Sequence, residues 1–260
     1  MLTIDQLTMK FAGVTALDAV SLSFADGELA AVIGPNGAGK TSLFNCISGL
    51  YQPTSGSLRY VTGKREVELS RTRAHRRAGL GIARMFQNIA LYDHLTVLEN
   101  LLVGRHHTYR TGMFADLFRT PAFVREEVRQ REVVEGIIDF LDLEAVRHVP
   151  TLVLPYGVLK RVELGRALAM EPRLLLLDEP AAGLNQEETE AMARYLLDIK
   201  EELGVTQILI EHDLHLVLDL ADRVAVLDFG RVIASGTPDE VQHDPAVARA
   251  YTGGLGGEAA

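Results

Sequence analysis

The chain has 260 residues, with 26 Lys and Arg against 35 Asp and Glu and a formal net charge of −9. That length holds one large domain or one core with an attached subdomain, and the acidic balance argues against a dedicated nucleic-acid binder. Hydrophobic residues at 47% and charged residues at 23% exclude extensive disorder, and the single cysteine, Cys46, excludes an internal disulfide framework and fits a reducing compartment.

The start, Met1-Leu2-Thr3-Ile4-Asp5, has no basic segment followed by an apolar run, so no signal peptide is expected. No stretch approaches the roughly 20 apolar residues that span a bilayer, so a soluble protein is expected, held at any membrane by another chain. The N-terminal region reads as strands: Val20, Leu22 and Phe24 alternate with Ser21 and Ser23, Asp26-Gly27 marks a turn, and residues 29–33 form an apolar run that suits a strand buried on both faces. A glycine-rich loop follows at 34–39, then a helix over 40–50. From about 88 to 149 the pattern is mostly helical, with Val133, Ile137, Ile138 and Leu141 at helical spacing, interrupted by a stretch rich in turns and aromatics from about Arg105 to Pro121. Strand character returns at 174–177. Met192, Tyr195, Leu196, Ile199 and Leu203 then share one face of an amphipathic helix that opens with Glu187, Glu188 and Glu190 and closes at Gly204. Further strands are expected at 205–210 and 224–227, and Thr237-Pro238-Asp239-Glu240 opens another helix with a capping box. Buried strands alternating with helices imply an α/β fold with a mostly parallel sheet covered on both faces, binding ligands at the carboxyl ends of its strands.

Gly34-Pro35-Asn36-Gly37-Ala38-Gly39-Lys40-Thr41 matches G-x-x-x-x-G-K-[ST] in full, after a buried strand and before a helix. Its glycines let backbone N–H groups converge on phosphate oxygens, Lys40 can reach the β- and γ-phosphates, and the Thr41 hydroxyl can ligate Mg²⁺. A dinucleotide fingerprint fits less well, because it needs a glycine where Ser42 stands. At the end of the later strand, Asp178 can hold Mg²⁺ directly or through water, and Glu179 can orient or deprotonate an attacking water.

Taken together these motifs resemble the ATP-binding subunits of ABC transporters over residues 2–251, and within that family the LivG-type subunits of branched-chain amino acid importers. The resemblance rests on the phosphate loop as Walker A, Asp178-Glu179 as Walker B, Met85-Phe86-Gln87-Asn88 at the Q-loop, Ala181-Ala182-Gly183-Leu184-Asn185 at the D-loop and Glu211-His212-Asp213 at the switch histidine. The run 95–102, Thr120-Pro121 and the ending Ala250-Tyr251 point to the LivG type. The resemblance implies a RecA-like P-loop core formed by 1–87 and 162–240, with a small antiparallel N-terminal β region. It also implies an inserted helical subdomain at 88–161 and a C-terminal helix with a flexible tail at 241–260. It places Phe11 on the adenine and assigns the phosphates to Gly34, Pro35, Asn36, Gly37, Ala38, Gly39, Lys40, Thr41 and Ser42. Thr41, Gln87 and Asp178 fall to the metal, and Glu179, His212, Gln87 and Lys40 to the chemistry. ATP and Mg²⁺ are the implied ligands. The implied partners are a second ATPase, two permeases and a separate solute-binding protein, with the chain on the inner face of the membrane and segment 86–95 docked on a permease. Urea, amide and aromatic-acid importers use close relatives, so the cargo stays open.

One stretch departs from the family pattern. Where the signature reads Leu-Ser-Gly-Gly-Gln, this chain has Leu154-Pro155-Tyr156-Gly157-Val158. Pro155 replaces a serine hydroxyl that would bind the γ-phosphate of ATP held by the partner, a loss of about 1.5–3 kcal/mol if nothing replaces it. Two unequal sites in a heterodimer are therefore expected, as is the alternative of a weakly hydrolysing regulatory subunit. The basic run 70–77 reads as the solvated face of a surface helix. Met113, Phe114, Leu117, Phe118 and Phe123 read as a local core of the insert. The histidines form no metal spacing.

Overall fold

The structure, a computed structural model, describes residues 2–63, 65–106 and 121–252. Strands β1 (Leu2–Phe11), β2 (Val14–Phe24), β4 (Ser55–Thr62) and β5 (Arg65–Glu68) form an antiparallel sheet in the order β2-β1-β4-β5. The alternation expected in β2 holds: Val20, Leu22 and Phe24 are buried while Ser21 and Ser23 are exposed.

The second sheet contains β3 (Leu29–Ile33), β6 (Ile82–Met85), β7 (Leu174–Asp178), β8 (Thr206–Ile210), β9 (Arg223–Asp228) and β10 (Arg231–Gly236). Its order is β10-β9-β3-β8-β7-β6, parallel throughout except for β10. Successive residues of these strands feed two different cores, because side chains alternate across a sheet. Leu29, Ala31 and Ile33 face a core shared with Leu175, Leu177 and the helices of the middle region. Ala30 and Val32 face a core shared with Leu174, Leu176, Phe44 and the antiparallel sheet. A strand with an apolar residue at every position is thus required by two greasy neighbours, not one.

Helices are positioned by their ends. The helix Lys40–Ser48 stops where Gly49 takes a left-handed conformation, two residues short of the expected 50. Gln186–Glu201 opens on a reciprocal Asn185–Glu188 capping box and buries Met192, Tyr195, Leu196 and Ile199. Leu203 does not join that face; it lies beyond the last turn and is 52% exposed. The reason is that Gly204, at φ +63°, turns its N–H back to Lys200 O and ends the helix before position 203. In the middle region the helices are Val97–Gly104, opened by a Thr96–Glu99 capping box, Pro121–Phe140 and Tyr156–Leu168. Val97, Leu101, Val134, Ile138, Leu141 and Leu164 bury together there. Met113, Phe114, Leu117 and Phe118, and the Phe123 side chain, lie outside the described residues. The Thr237 capping box and Pro238 open Pro238–Gln242, and Pro245–Thr252 follows. No helix among the described residues is long and apolar enough to cross a membrane.

The basic run 70–77 is only partly a solvated face. Arg71, Arg73 and Arg76 are exposed, but Arg77 is 2% exposed. Its guanidinium donates to Cys46 O and Ile47 O, each at 2.6 Å, to Leu69 O at 2.5 Å and to Thr72 O at 2.9 Å. A charge so placed is satisfied only by carbonyls, two of them at the C-terminal end of the helix Lys40–Ser48, where a cation also meets the helix dipole favourably. Arg77→Met strands several buried carbonyls and is expected to cost about 3 kcal/mol or more; urea unfolding measures it, and an unchanged midpoint would count against this role.

Candidate functional site

Four neighbouring parallel strands deliver the site to one edge. In spatial order β3, β8, β7 and β6 end in the glycine-rich loop, His212, the Asp178-Glu179 pair and Gln87. The register makes these ends level: Val32 pairs with Ile210, Asp178 with Ile210, and Leu177 with Met85. Residues scattered from Gly34 to His212 therefore meet because the strand order is not the chain order.

The loop needs glycine at its two ends. A Cβ on Gly34 would lie 2.0 Å from Leu227 O, and one on Gly39, at φ +105°, 2.5 Å from Ala16 O. Between them Lys40 folds back so that its Nζ donates to Gly34 O at 2.6 Å and Pro35 O at 3.0 Å. Burial pulls the Lys40 ammonium below the ordinary lysine value, opposed by the charges of Glu179 and Asp178. The Gly34 N–H meets the hydroxyl of Tyr251, whose proton affinity burial raises and this hydrogen bond lowers. The loop, Ala16, Glu179 and His212 line a cavity of about 210 Å³, enough for the phosphate portion of a nucleotide.

Glu179 sits at the far wall in a left-handed backbone conformation, φ +52°, which a non-glycine residue adopts only when its surroundings enforce it. Its N–H is held by Ile210 O at 2.9 Å. Gln87 Nε2 donates to Glu179 Oε2 at 2.6 Å, and His212 Nε2 lies 2.7 Å from Glu179 Oε1. A carboxylate only accepts, so this contact places a proton on His212 Nε2. Beneath His212, Glu211 is buried and accepts from Ala181 N at 2.8 Å and His212 N at 3.1 Å. Burial pushes the Glu211 carboxyl up, and those two amides oppose it.

Asp178 is 2% exposed, and Arg84 holds it: Arg84 Nη2 donates to Asp178 Oδ2 at 2.5 Å and Nη1 to Asn45 Oδ1 at 2.6 Å. The guanidinium carbon lies 4.9 Å from the centre of the Phe86 ring and 5.6 Å from that of Phe44. Nothing in the sequence pattern points to Arg84; its partners are 39 and 94 positions away. The free oxygens left by these contacts are Thr41 Oγ1, Gln87 Oε1 and Asp178 Oδ1, none of which has a hydrogen-bond partner among the described residues. An all-oxygen set with one carboxylate fits Mg²⁺ carried on nucleotide phosphates. No cluster of His, Cys, Asp and Glu among the described residues could cage a metal without the nucleotide.

Gly34, Pro35, Gln87 and Asp178 are not among the residues that line the cavity, and two further sets of expected residues lie outside it as well. Phe11 is half-exposed and meets the Tyr51 ring edge-to-face at 5.1 Å and 74°, an aromatic neighbour the sequence pattern does not single out. Leu154, Pro155, Tyr156, Gly157 and Val158 begin the helix Tyr156–Leu168, with Pro155 as an N-cap that offers no side-chain hydrogen bond. They face the segment after Glu179: Tyr156 donates to Ala182 O at 3.4 Å, and a Cβ on Gly157 would lie 2.2 Å from Glu188 Oε1.

A phosphate loop, an acidic strand end and a histidine gathered at one edge of a parallel sheet define a nucleoside triphosphatase of the phosphate-loop class. A family model described as ABC transporter matches residues 17–182, and one described as branched-chain amino acid ATP-binding cassette transporter matches residues 231–254. The chain belongs to the ABC transporter family, as one of its ATP-hydrolysing cassettes. It is similar to the high-affinity branched-chain amino acid transport ATP-binding protein BraF of Pseudomonas aeruginosa, 39% identical over 253 residues and covering 97% of this chain and 98% of BraF. LivG of Salmonella typhimurium, of the same description, is 38% identical over the same shares. Among solved structures, a nucleotide-free cassette of an ABC transporter superposes with a TM-score of 0.82 at 30% identity, covering 96% of this chain and 98% of that one. A cassette in its ADP conformation gives 0.83 at 31%, covering 97% and 98%. The segment matched by the branched-chain family model includes the helix Pro245–Thr252, whose Tyr251 touches the phosphate loop.

Arg84→Lys keeps a charge but loses the planar fork that spans Asp178 and Asn45. It is expected to lower stability by about 1–3 kcal/mol and to weaken ATP binding, read from thermal melting with and without ATP; identical curves for variant and wild type would refute the assignment.

Proposed function

We propose that this chain powers uptake of branched-chain or closely related small amino acids. Its partners in this reading are two membrane permeases, a second ATPase subunit and a separate solute-binding protein, and it lies on the cytoplasmic face of the membrane. BraF and LivG, each named for branched-chain amino acid transport, support the cargo. The observation that carries the mechanism is Glu179, held by its neighbours at the wall of the phosphate cavity.

The loop amides of Asn36, Gly37, Ala38 and Gly39, with those opening the helix Lys40–Ser48, bind the phosphates, Gly34 and Pro35 (which has no N–H) shape the entry of the loop, and Ser42 completes that rim. Lys40 exchanges its two carbonyl contacts for β- and γ-phosphate oxygens. Thr41, Gln87 and Asp178 would hold Mg²⁺, which when bound neutralises charge on those oxygens. Glu179 accepts a proton from water attacking in line at the γ-phosphorus, as the bond to the β–γ bridging oxygen breaks. His212, donating through Nε2, keeps Glu179 oriented and stands within reach of the γ-phosphate. Phe11 packs on adenine, backed by Tyr51. The units are 1–87 with 162–240, 88–161, and 241–260, and segment 86–95, with exposed Phe86 and Tyr92, receives a permease.

Residues 154–158 face ATP bound to the second ATPase. With proline at 155 they offer backbone N–H groups but no serine hydroxyl, so the site they complete is the weaker one, and the site on this chain's own phosphate loop carries most of the turnover where the second ATPase has an intact signature. In the assembled transporter, Glu179→Gln is expected to lower ATPase activity by roughly tenfold or more while ATP still binds; turnover near wild type would overturn this asymmetry. Proteoliposomes loaded with ATP should accumulate leucine driven by the matching binding protein, and accumulation of urea, amides or aromatic acids in place of leucine would reassign the cargo.

A further inference from the structure

The helix that opens at Pro155 carries a lysine with no access to solvent. Lys160 is 0% exposed, and its Nζ donates to Glu179 O at 3.1 Å and to Gln87 O at 3.3 Å. Burial pulls its proton affinity down. Glu211, Glu163, Glu179 and Asp178, in that order, oppose the shift, and Glu163 is itself paired with Arg166 at 2.7 Å. The Tyr156 ring lies 5.8 Å from the ammonium. A buried ammonium is retained only where carbonyls and carboxylates surround it, so the position has little tolerance for an apolar side chain of equal length.

The two carbonyls it holds belong to the two residues whose side chains meet at 2.6 Å across the cavity wall. Lys160 therefore ties together the main chains after β6 and β7, and it does so from the first turns of a helix whose opening residues do not line this chain's own cavity. Glu179 O is also the carbonyl of a residue at φ +52°, so the ammonium stabilises a backbone conformation that is otherwise unfavourable. A shift of Gln87 away from Glu179 pulls on Lys160, and Lys160 is rigidly part of the helix that begins with residues 156–158.

We propose that Lys160 is a positioning residue that links the state of this chain's own ATP site, through the main chains of Gln87 and Glu179, to the orientation of the helix that completes the site on the second ATPase. The inference rests on the functional reading above. Lys160 touches no substrate; it fixes Glu179 from behind and makes the two sites of the dimer interdependent.

The assembled transporter tests it with Lys160→Met, Lys160→Arg and Glu179→Gln measured side by side. Lys160→Met is expected to lower kcat about tenfold while the apparent KM for ATP stays within about twofold, and to abolish cooperativity in ATP. Lys160→Arg, which can still donate to both carbonyls, should restore at least about half of the turnover and the cooperativity. If Lys160→Met does not fold, Lys160→Gln takes its place, with amide hydrogen exchange at residues 86–88 and 179–182 as a second readout; faster exchange there is expected. Wild-type kcat and cooperativity in the methionine or glutamine variant, with Glu179→Gln still inactive, overturn the link alone. An active Glu179→Gln variant overturns instead the functional reading beneath it.

Discussion

A guanidinium stacked beside two phenylalanine rings holds the acidic end of a strand made otherwise of leucine. Asp178 follows four buried leucines and is itself almost fully enclosed, and burying a carboxylate there is costly without a matched cation. Arg84 is that cation, and because its other nitrogen bonds Asn45 on the helix that follows the phosphate loop, the pair also sets the distance between the acidic strand end and the loop. Glu179, one residue on, inherits its placement from this contact. Its side chain is oriented by Gln87 and His212, its backbone by Ile210 and Lys160. Loss of Arg84 removes the fixed point to which that whole constellation is referred.

The phosphate loop was legible because its residues are contiguous and its geometry follows from glycine at 34 and 39 and lysine at 40. The strands at 29–33 and 174–177 were legible because burial on both faces leaves no polar position. Arg84, Lys160 and Arg77 were not, for a common reason. Each is a buried cation whose partners are main-chain carbonyls or distant carboxylates, and in one dimension a buried arginine reads like an exposed one. The basic run 70–77 illustrates this: four of its charges look alike in sequence, and only Arg77 has the helix end at Cys46 and Ile47 beside it. The misplacement of Leu203 has a different origin. Helical spacing continued past 199, but the left-handed turn at Gly204 closed the helix first, so local backbone chemistry overrode the apolar pattern. Tyr51 escaped notice because its relation to Phe11 exists only after β1 and the end of the helix Lys40–Ser48 come together.

The same architecture separates two kinds of residue at 154–158. Pro155 preserves the helix start, since a proline there costs no hydrogen bond, yet it leaves the first amides without a side-chain partner. The fold tolerates the change fully, whereas recognition across a dimer would feel it. Stability and the proposed contact with a second ATPase would thus rest on different atoms of one short segment.

The nine-residue helix Lys40–Ser48 is short for a structure expected to stand by itself, and it is terminated electrically at both ends. Its N-terminus opens toward the phosphate cavity, and its last carbonyls are grasped by Arg77. Anion charge arriving at one end and the guanidinium at the other both reinforce the alignment of its peptide dipoles. Arg77 lies just upstream of β6, which carries Arg84 and runs out toward Gln87, so the residue that closes the far end of this helix and the residues at the acidic side of the site belong to one short stretch of chain.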